Sequence, residues 1–272
     1  MTEAGALRLM CISAHPDDES LGFGGSLARY AAEGVETSLV VGTRGERGRY
    51  GDGSEPYPGP TRLGEIREGE LRAAAEILGV RHVRFRDYLD AELDQADPRE
   101  AVDRIARHIR ELRPHVVLTF DPFGAYGHPD HIAISQLAAG GITRAASARA
   151  IPDSAHEPHE VQKLYYMAWT DRVWGHYQGV FKVMQSKVDD VIRGSVAWPE
   201  WAVTTTTDAH DHWETVWAAV QCHASQIGQY GKLADLTPER HSGLWGPQEF
   251  YRVFSLVNGG RARERDFFDG LR

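Results

Sequence analysis

Two short segments of this chain concentrate the residue types that bind divalent cations. Residues 14–19 read AHPDDE and residues 127–131 read GHPDH, so imidazoles and carboxylates crowd into two turns. Each turn follows an apolar, strand-like run, at residues 9–12 and 116–120. A hydrolytic zinc commonly takes three ligands of the His and Asp/Glu types and leaves one position for water. The two turns therefore predict a metal-dependent hydrolytic site.

The candidate ligands are more numerous than one cation requires. The first turn offers His15 together with Asp17 or Asp18. The second turn offers His128 or His131. The spacing chooses neither between the two carboxylates nor between the two imidazoles. A carboxylate that is not a ligand could accept a proton from metal-activated water, and the remaining imidazole could donate one to the leaving group.

These turns are positioned by an alternation of predicted strands and helices. Repeated strand–helix units predict a mainly parallel sheet with helices packed on it. In such sheets ligands bind beyond the carboxyl ends of the strands, where both turns fall. We therefore predict an α/β fold, with a Rossmann-like, mainly parallel sheet flanked by helices and an elaborated C-terminal portion. The predicted strands cover residues 7–13, 37–41, 83–85, 116–120, 163–169 and 249–257, and the predicted helices cover 20–33, 61–79, 98–113 and 207–225.

The length of the chain predicts a single domain over residues 1–272. Residues 1–147 would form the metal-binding core. Residues 148–272 would form an elaboration that completes the sheet and covers the site. A long loop at residues 42–60 is rich in Gly and Pro, and loops of this length are often functional.

Composition and charge indicate which classes of binding partner to expect. The net charge of −9 argues against a general nucleic-acid or anionic-membrane surface. No apolar run approaches the ~20 residues of a membrane span, and the N-terminus lacks the basic start and apolar core of a signal peptide. We expect a cytoplasmic protein with a small-molecule substrate and no nucleic-acid or membrane partner. The sequence does not indicate an oligomeric state.

The two metal-binding turns together resemble the motifs of the PIG-L/LmbE-like family of zinc-dependent N-deacetylases. Both motifs are complete, and the resemblance extends over about the first half of the chain. It implies that His15, Asp18 and His131 hold Zn²⁺. Sites with two imidazoles and a carboxylate also accept Fe²⁺, cobalt or nickel, so the physiological metal stays open.

The same resemblance implies roles for the residues around the metal. Asp17 would be the general base that activates water. His128 would be the general acid or the oxyanion stabiliser, held in its tautomer by Asp130. Tyr126 resembles, by position, a mobile tyrosine beside the reacting carbonyl.

Three further segments are similar to the branch of the family that handles N-acetylglucosaminyl-inositol compounds and the thiols built from them. These segments are residues 111–117, 124–126 and 222–226. The implied function is removal of an acetyl group from an N-acetylglucosaminyl-type amino sugar. An amidase acting on cysteinyl-glucosaminyl-inositol S-conjugates is the alternative within the family. Asp90 resembles, by position, a sugar-binding carboxylate.

The other candidate substrate-binding residues have structural alternatives. At helical periodicity, Arg67 lies on the apolar face of its predicted helix, where an unpaired charge is costly. The family places an arginine here that binds sugar hydroxyls, whereas an ion pair with Glu70 or with a neighbouring strand is the structural alternative. Glu46 either contacts the substrate or belongs to a solvated Gly-rich loop. His223 and Gln226, three residues apart on a predicted helix, either line the substrate cavity or serve a structural role.

A function of another class is a non-catalytic sugar- or nucleotide-binding protein of the same fold. The glycines of residues 22–26 (GFGGS) invite a nucleotide-binding interpretation, which requires glycines in the first strand-to-helix turn. Here that turn holds residues 15–19, and the glycines lie inside the predicted helix, where they would let the helix approach the sheet closely. The presence of both Asp17 and His128 favours an enzyme.

Overall fold

A central sheet organises the computed structural model, which describes residues 6–272 except 179, 181–183, 189, 229, 231 and 261. The strands are β1 (Arg8–Ser13), β2 (Glu36–Thr43), β3 (His82–Tyr88), β4 (Val116–Thr119), β5 (Lys163–Met167), β6 (Gln185–Val188), β7 (Val191–Gly194), β8 (Thr205–Asp208) and β9 (Pro247–Ser255). Seven of these strands form the sheet in the order β3-β2-β1-β4-β5-β9-β8. The remaining two, β6 and β7, pair in a separate hairpin.

Helices flank this sheet. They are α1 (Asp18–Leu21), α2 (Gly24–Ala32), α3 (Pro60–Ile77), α4 (Pro98–Leu112), α5 (Gly124–Gly127), α6 (Pro129–Ala146), α7 (Asp171–Gln178), α8 (Trp213–Cys222), α9 (Ala224–Ile227) and α10 (Pro238–Trp245). Short 3₁₀ turns lie at Leu93–Gln95, Glu200–Ala202, His210–His212 and Leu233–Asp235. Among the described residues, no helix combines the length and the apolar character that a membrane span needs.

The first five strands of the chain run parallel. β1 pairs in parallel with both β2 and β4, β3 pairs in parallel with β2, and β5 pairs in parallel with β4. β9 is antiparallel to β5, and β8 is antiparallel to β9. The prediction of an α/β fold with a mainly parallel sheet flanked by helices is confirmed.

Burial explains the apolar composition of the central strands. Leu9, Met10 and Ile12 in β1 are fully buried, as are Val116 and Val117 in β4. Strands that are covered on both faces carry continuous apolar runs instead of alternating ones. In the helical layers α4 packs on α6, and α3 packs on α8. The ends of β1 and β4 are therefore held side by side in the core.

Helix α4 begins where the sequence predicts. The Asp97 side chain accepts a hydrogen bond from the amide of Glu100 at 2.9 Å, and Pro98 occupies the first helical turn. Both features stabilise a helix start, because they satisfy or remove amides that lack an intrahelical partner. The helix ends at Arg113 in a left-handed conformation, just before Pro114.

The predicted helix at residues 20–33 is two helices, α1 and α2. The sequence predicts that the glycines at the start of α2 let it approach the sheet, but their closest contacts are with α8 and the end of α10, and the sheet contributes only Gln248 of β9. A Cβ at Gly25 would lie 2.6 Å from the carbonyl oxygen of Trp245. A Cβ at Gly24 would lie 3.0 Å from Cγ1 of Val216. Larger residues would force these segments apart.

The predicted helix at residues 207–225 has a later start. Its first residues belong to β8, where β-branched threonines alternate between buried and partly buried positions and pair with β9. The helix α8 begins only at Trp213, and α9 follows after a break at His223. The β6–β7 hairpin and the helices α5, α6, α7 and α10 have no counterpart among the predicted elements.

Replacing Gly25 by alanine tests the close packing of α2. The added Cβ would clash with a backbone oxygen, so we expect Gly25→Ala to lower the free energy of unfolding by about 1–3 kcal/mol, the usual cost of overpacking. The matched control is Gly69→Ala in α3, where an added Cβ has open space. Alanine's better helix propensity should raise stability there by about 0.5–1 kcal/mol. Urea denaturation measures the free energy of unfolding of both variants. A Gly25→Ala protein as stable as wild type would contradict the close packing of α2 at this position.

Candidate metal and catalytic site

The two turns rich in His and Asp meet because their strands are neighbours. β1 pairs in parallel with β4, so both strands end at the same edge of the sheet. His15 follows β1 closely, and Asp18 begins α1. His131 lies in the first turn of α6, which follows β4 and the short α5. Strand adjacency thus brings two distant parts of the sequence into contact.

Three side chains present metal-binding atoms to one point. Nδ1 of His15 lies 3.2 Å from Nε2 of His131 and 3.7 Å from Oδ2 of Asp18. Nε2 of His131 lies 3.4 Å from Oδ1 of Asp18. In a tetrahedral zinc site, Zn–N bonds of about 2.0–2.1 Å separate ligand atoms by roughly 3.3 Å. We call this arrangement of His15, Asp18 and His131 the ligand triangle, and its dimensions fit a tetrahedral cation.

The Asp18 carboxylate is held by the main chain of its own turn. Oδ2 accepts hydrogen bonds from the amides of Ala14 and His15, at 3.1 and 2.8 Å. Burial raises the pKa of Asp18, but the facing rings of His131 and His15 outweigh burial and hold that pKa below its ordinary value. The carboxylate is therefore ionised at neutral pH, as a metal ligand must be.

The other nitrogen of His15 faces two carboxylates. Nε2 lies 3.1 Å from Oδ1 of Asp90 and 3.1 Å from Oδ2 of Asp130. Asp130 is fully buried, and its carboxylate also accepts the amides of Ala91 and Leu93, at 2.7 and 3.1 Å. A carboxylate on the distal nitrogen of a metal-binding imidazole fixes the orientation and the tautomer of the ring. Here it directs Nδ1 of His15 toward the ligand triangle.

The contact between Asp130 and His128 uses the main chain of Asp130. The resemblance implies that Asp130 holds His128 in its tautomer, and the Asp130 carboxylate contacts His15. It is the backbone N–H of Asp130 that donates to Nδ1 of His128, at 3.2 Å. The physical reason is that His128 is the N-cap residue of α6, and N-cap side chains accept hydrogen bonds from amides of the first turn.

His128 is thereby left with a single hydrogen-bond donor. Because Nδ1 accepts, the proton of the neutral imidazole lies on Nε2. Burial, together with the neighbouring rings of His15 and His131, lowers the pKa of His128 to about 3. The ring is neutral at pH 7 and offers Nε2–H.

Asp17 lies next to the ligand triangle in a strained backbone conformation. Its φ of 102° is in the left-handed region, which residues other than glycine rarely adopt. Oδ2 accepts hydrogen bonds from the Tyr230 hydroxyl at 2.7 Å and from the Arg67 guanidinium at 3.2 Å. Burial raises the pKa of Asp17 above its ordinary value, although Arg67 opposes this shift. Strain of this kind clusters at functional sites, and a raised pKa suits a general base.

Arg67 connects Asp17 to the long Gly-rich loop. Its side chain is buried on α3 and donates to the carbonyl oxygens of Pro16 and Gly45, at 2.5 and 2.8 Å. Position 45 must be glycine, because its φ is +63° and a Cβ there would lie 2.2 Å from Nη1 of Arg67. The guanidinium therefore fixes the loop and the Asp17 carboxylate together.

Of the two ion pairs in the structural alternative for Arg67, the one with Glu70 is not formed, and Arg67 pairs instead next to the end of the neighbouring strand β1. Both residues are described by the structure, and each has other partners. Glu70 accepts hydrogen bonds from the amide and the hydroxyl of Ser225, both at 2.7 Å. Arg67 instead pairs with the Asp17 carboxylate.

Asp90 and Glu46 lie on adjoining loops at the rim of the site. Oδ2 of Asp90 accepts the amide of Arg47 at 3.1 Å, while Oδ1 faces His15. Glu46 accepts the amide of Asp90 at 2.9 Å. Glu46 thus supports the loop that carries Asp90, and Asp90 faces the cavity beside the ligand triangle.

Tyr126 packs over the ligand triangle from α5. Its ring meets the His131 ring edge-on, with centroids 5.2 Å apart. Burial raises the pKa of Tyr126, so its hydroxyl stays protonated at neutral pH and is able to donate. The neighbouring Ala125 has a φ of 61°, which gives the short α5 its irregular path.

Two residues that support Asp17 have no role assigned from the sequence. Tyr230 comes from a segment without a motif or a periodicity. Glu19 is fully buried, accepts the Asp17 amide at 2.9 Å and lies 2.7 Å from Nε2 of His223, which is also fully buried. Glu19 belongs to the AHPDDE motif, so a signal for it exists in the sequence. Gln226, the other residue of the predicted pair, faces the cavities and donates to a loop carbonyl at 2.8 Å.

Two cavities open onto the site and share Asp17, Asp18 and Tyr126 in their walls. The first, which we call the polar cavity, has a volume of about 970 Å³. The second, which we call the apolar cavity, has a volume of about 760 Å³. Both cavities also share Arg49, Gln185, Ser186, Lys187 and Gln226. Among the residues that line one cavity alone, the polar cavity has Arg47, Arg67, Asp90, Asp94, Gln95 and His128, and the apolar cavity has Leu21, Met167, Trp169, Tyr177, Met184 and Ile192.

The sequence of the site region matches a known family. Residues 10–140 match the family described as PIG-L, GlcNAc-PI de-N-acetylase. The 1D-myo-inositol 2-acetamido-2-deoxy-alpha-D-glucopyranoside deacetylase of Nocardiopsis dassonvillei is 38% identical, over 96% of this chain and 100% of the relative. The chain belongs to the PIG-L family. It is therefore an enzyme of a hydrolytic deacetylase family, as the sequence predicts.

Solved structures share the fold of this PIG-L family member. The N,N'-diacetylchitobiose deacetylase of Pyrococcus horikoshii is 20% identical, with a TM-score of 0.65 over 92% of this chain and 84% of that one. A 4-carboxy-2-hydroxymuconate hydratase from Pseudomonas putida is also 20% identical, with a TM-score of 0.66 over 94% of this chain and 100% of that one. Likeness at this identity shows the fold alone, and the fold evidently carries more than one chemistry.

Removing His131 tests the ligand triangle. Even partners outside the ligand shell are worth about 10–100-fold in metal affinity, so we expect His131→Ala to weaken metal binding by at least ~100-fold. The matched control is His156→Ala, which changes an exposed imidazole outside the two motifs and outside the walls of both cavities. Metal content after dialysis, measured by inductively coupled plasma mass spectrometry, gives the answer. An unchanged metal stoichiometry in His131→Ala would remove this residue from the ligand set.

Proposed function

We propose that this enzyme removes the acetyl group from an N-acetylglucosaminyl-type amino sugar, with Zn²⁺ held by His15, Asp18 and His131. The observation that carries the proposal is the ligand triangle with the strained Asp17 beside it. The substrate class is supported by the relative of 38% identity, whose description names an inositol glycoside of 2-acetamido-2-deoxyglucose. Fe²⁺ is the alternative cation, because the same ligand types suit it.

We propose further that the chain acts as one Rossmann-like domain. The strand order β3-β2-β1-β4-β5 matches the first five strands of the order 3-2-1-4-5-6 that is typical of dinucleotide-binding sheets. Residues 1–147 carry the three proposed ligands, while residues 148–272 supply β5, β8 and β9 and the Tyr230 hydroxyl. Cys11 and Cys222 are free thiols, which supports a location in the reducing cytoplasm.

The proposed chemistry is hydrolysis of a linear amide. A bound cation would polarise the amide carbonyl and lower the pKa of a water molecule beside it. Asp17 accepts the proton of the attacking water, because its carboxylate is held in position and its pKa is raised. The acyl C–N bond then breaks, and the proton that Asp17 has accepted passes to the departing amine.

Two donors are placed to stabilise the oxygen that gains charge during this attack. His128 offers Nε2–H, since its backbone partner fixes the tautomer. Tyr126 offers its protonated hydroxyl. Fixed donors in a site that excludes bulk water contribute strongly to catalysis, because they do not have to reorient as the charge develops. A neutral His128 acts as an oxyanion stabiliser and not as a source of a second proton.

The polar cavity would bind the sugar. Arg67 and Asp90 line it and offer a donor and an acceptor to hydroxyl groups. Glu46 is proposed to act through Asp90, whose amide it accepts, instead of through a direct contact with the substrate. Asp90 also faces His15, so the sugar-binding carboxylate and the metal ligand are coupled.

Amine release from a panel of N-acylated amino sugars tests the proposal. The panel includes N-acetylglucosaminyl-inositol and its N-cysteinyl counterpart, and each is assayed with chelator-treated enzyme before and after zinc is returned. Zinc-dependent release from the acetylated compound supports the deacetylase. Release from the cysteinyl compound alone would identify an amidase of cysteinyl-glucosaminyl-inositol conjugates. Silence with one zinc ion bound per chain would favour a non-catalytic sugar-binding protein.

Replacing Asp17 by asparagine tests the general base. We expect turnover to fall by at least ~100-fold, the low end of the loss when a general base is removed. Metal content should remain at the wild-type level, since Asp17 is outside the ligand triangle. The matched control is Asp211→Asn, an exposed carboxylate on a 3₁₀ turn, which should retain wild-type turnover. Turnover near the wild-type value in Asp17→Asn would refute the assignment.

A further inference from the structure

The hydrogen bonds of the Asp17 carboxylate fall on one of its two oxygens. Oδ2 accepts from the Tyr230 hydroxyl at 2.7 Å and from the Arg67 guanidinium at 3.2 Å. Both bonds that the described residues donate to this carboxylate end on Oδ2, and Oδ1 keeps its lone pairs. Hydrogen bonds to a carboxylate oxygen favour its charged form and reduce its affinity for a proton. Oδ1 is therefore the more basic oxygen.

Tyr230 is the closer of the two donors to Asp17. Its hydrogen bond of 2.7 Å has the ordinary length for a hydroxyl donor. The guanidinium of Arg67 also serves two carbonyl oxygens, and its bonds to Pro16 and Gly45 are shorter, at 2.5 and 2.8 Å. Arg67 thus holds the backbone of the turn and of the loop, while the orientation of the carboxylate depends on the Tyr230 hydroxyl.

The position of Tyr230 is set by the packing of its own segment. The side chain is buried, and the Tyr230 amide donates to the carbonyl oxygen of Ile227, the last residue of α9, at 3.0 Å. α9 is bound to the Gly-rich loop, because the amide of Gly51 donates to the carbonyl oxygen of Ser225 at 2.7 Å. The tyrosine is therefore held both by the backbone of this segment and by its hydroxyl at Asp17.

A purely structural tyrosine is the alternative, because a buried tyrosine hydroxyl usually finds a hydrogen-bond partner. Tyr30 is such a case. Its side chain is fully buried, its hydroxyl donates to the Asp266 carboxylate at 3.0 Å, and neither residue lines the two cavities. Tyr230 differs, since it lines the apolar cavity and its acceptor is the proposed base. The two tyrosines therefore allow the same substitution to be compared inside and outside the site.

We propose that Tyr230 is a positioning residue of the hydrolysis: its hydroxyl holds Oδ2 of Asp17 and leaves Oδ1 to accept the proton of the attacking water. This inference rests on the proposed function, and it adds a residue that acts through the base. In the step itself an O–H bond of water breaks, the proton passes to Oδ1, and the oxygen joins the acyl carbon. The C–N bond then breaks, and the proton passes from Oδ1 to the departing amine. Tyr230 donates its hydrogen bond throughout and gives up no proton.

The first test compares Tyr230→Phe with Tyr30→Phe in zinc-loaded enzyme, with N-acetylglucosaminyl-inositol as the substrate. Tyr230→Phe should lower kcat by at least ~10-fold, the ratio that corresponds to a hydrogen bond to a charged group, and change KM by less than ~2-fold. Zinc stoichiometry should stay at the wild-type value. Tyr30→Phe loses an equivalent bond and should keep the wild-type kcat. A wild-type kcat in Tyr230→Phe would overturn the inference and leave the proposed deacetylase intact.

The Asp17→Ala background separates positioning from a structural effect. If the Tyr230 hydroxyl acts only through the Asp17 carboxylate, adding Tyr230→Phe to Asp17→Ala should lower kcat by less than a further ~2-fold, since the effects of coupled residues do not add. A further loss as large as the loss in the wild-type background would show that Tyr230 acts independently of Asp17, and would overturn the inference.

Urea denaturation of the same four proteins decides the case in which no substrate is hydrolysed. These proteins are the wild type, the two single variants and the double variant. Tyr230→Phe should raise the unfolding equilibrium constant by about fivefold or more in the wild-type background and by less than ~2-fold in the Asp17→Ala background. This result would support the positioning of Asp17 by Tyr230 even though the proposed function fails. Equal effects in the two backgrounds would overturn it.

Discussion

The convergence of two imidazoles and a carboxylate on one buried point is the constraint on which the rest of the structure depends. Buried charged groups are costly unless each has a partner of opposite charge or a hydrogen bond. Asp18 meets this requirement through backbone amides, and His15 does so through Asp90 and Asp130. These partners follow the carboxyl ends of β1, β3 and β4, so the strand order has to bring those ends together. The order of the strands in the sheet therefore positions the three residues of the ligand triangle.

The strained conformation of Asp17 extends this dependence to the C-terminal part of the chain. Backbone conformations of this type cost about 1–3 kcal/mol, and surrounding contacts must offset that cost. The Asp17 amide donates a hydrogen bond to Glu19, and Glu19 contacts His223. The Asp17 carboxylate accepts hydrogen bonds from Tyr230 and Arg67. Residues after position 148 thus hold the proposed base in place, in addition to completing the sheet. The second half of the chain takes part in the site even though the motifs lie in the first half.

The sequence predicts the features that depend on neighbouring residues, and it does not predict those that depend on contacts between distant positions. Apolar runs such as that of β4 predict strands because both faces are buried, and Asp97 predicts a helix start because its cap is local. The β6–β7 hairpin is short and largely exposed, so it leaves no apolar pattern. Tyr230 reaches Asp17 across 213 positions, which no spacing reveals. The Asp130 carboxylate reaches His15 across 115 positions, and this contact too exists only in the folded chain.

The most direct test of the central claim is anomalous diffraction at the zinc edge from crystals of the zinc-loaded enzyme. The account predicts one anomalous peak within bonding distance of Nδ1 of His15, Nε2 of His131 and the Asp18 carboxylate, with Asp17 outside the ligand shell. A peak coordinated by His128, or one between Nε2 of His15 and the carboxylates of Asp90 and Asp130, would contradict it.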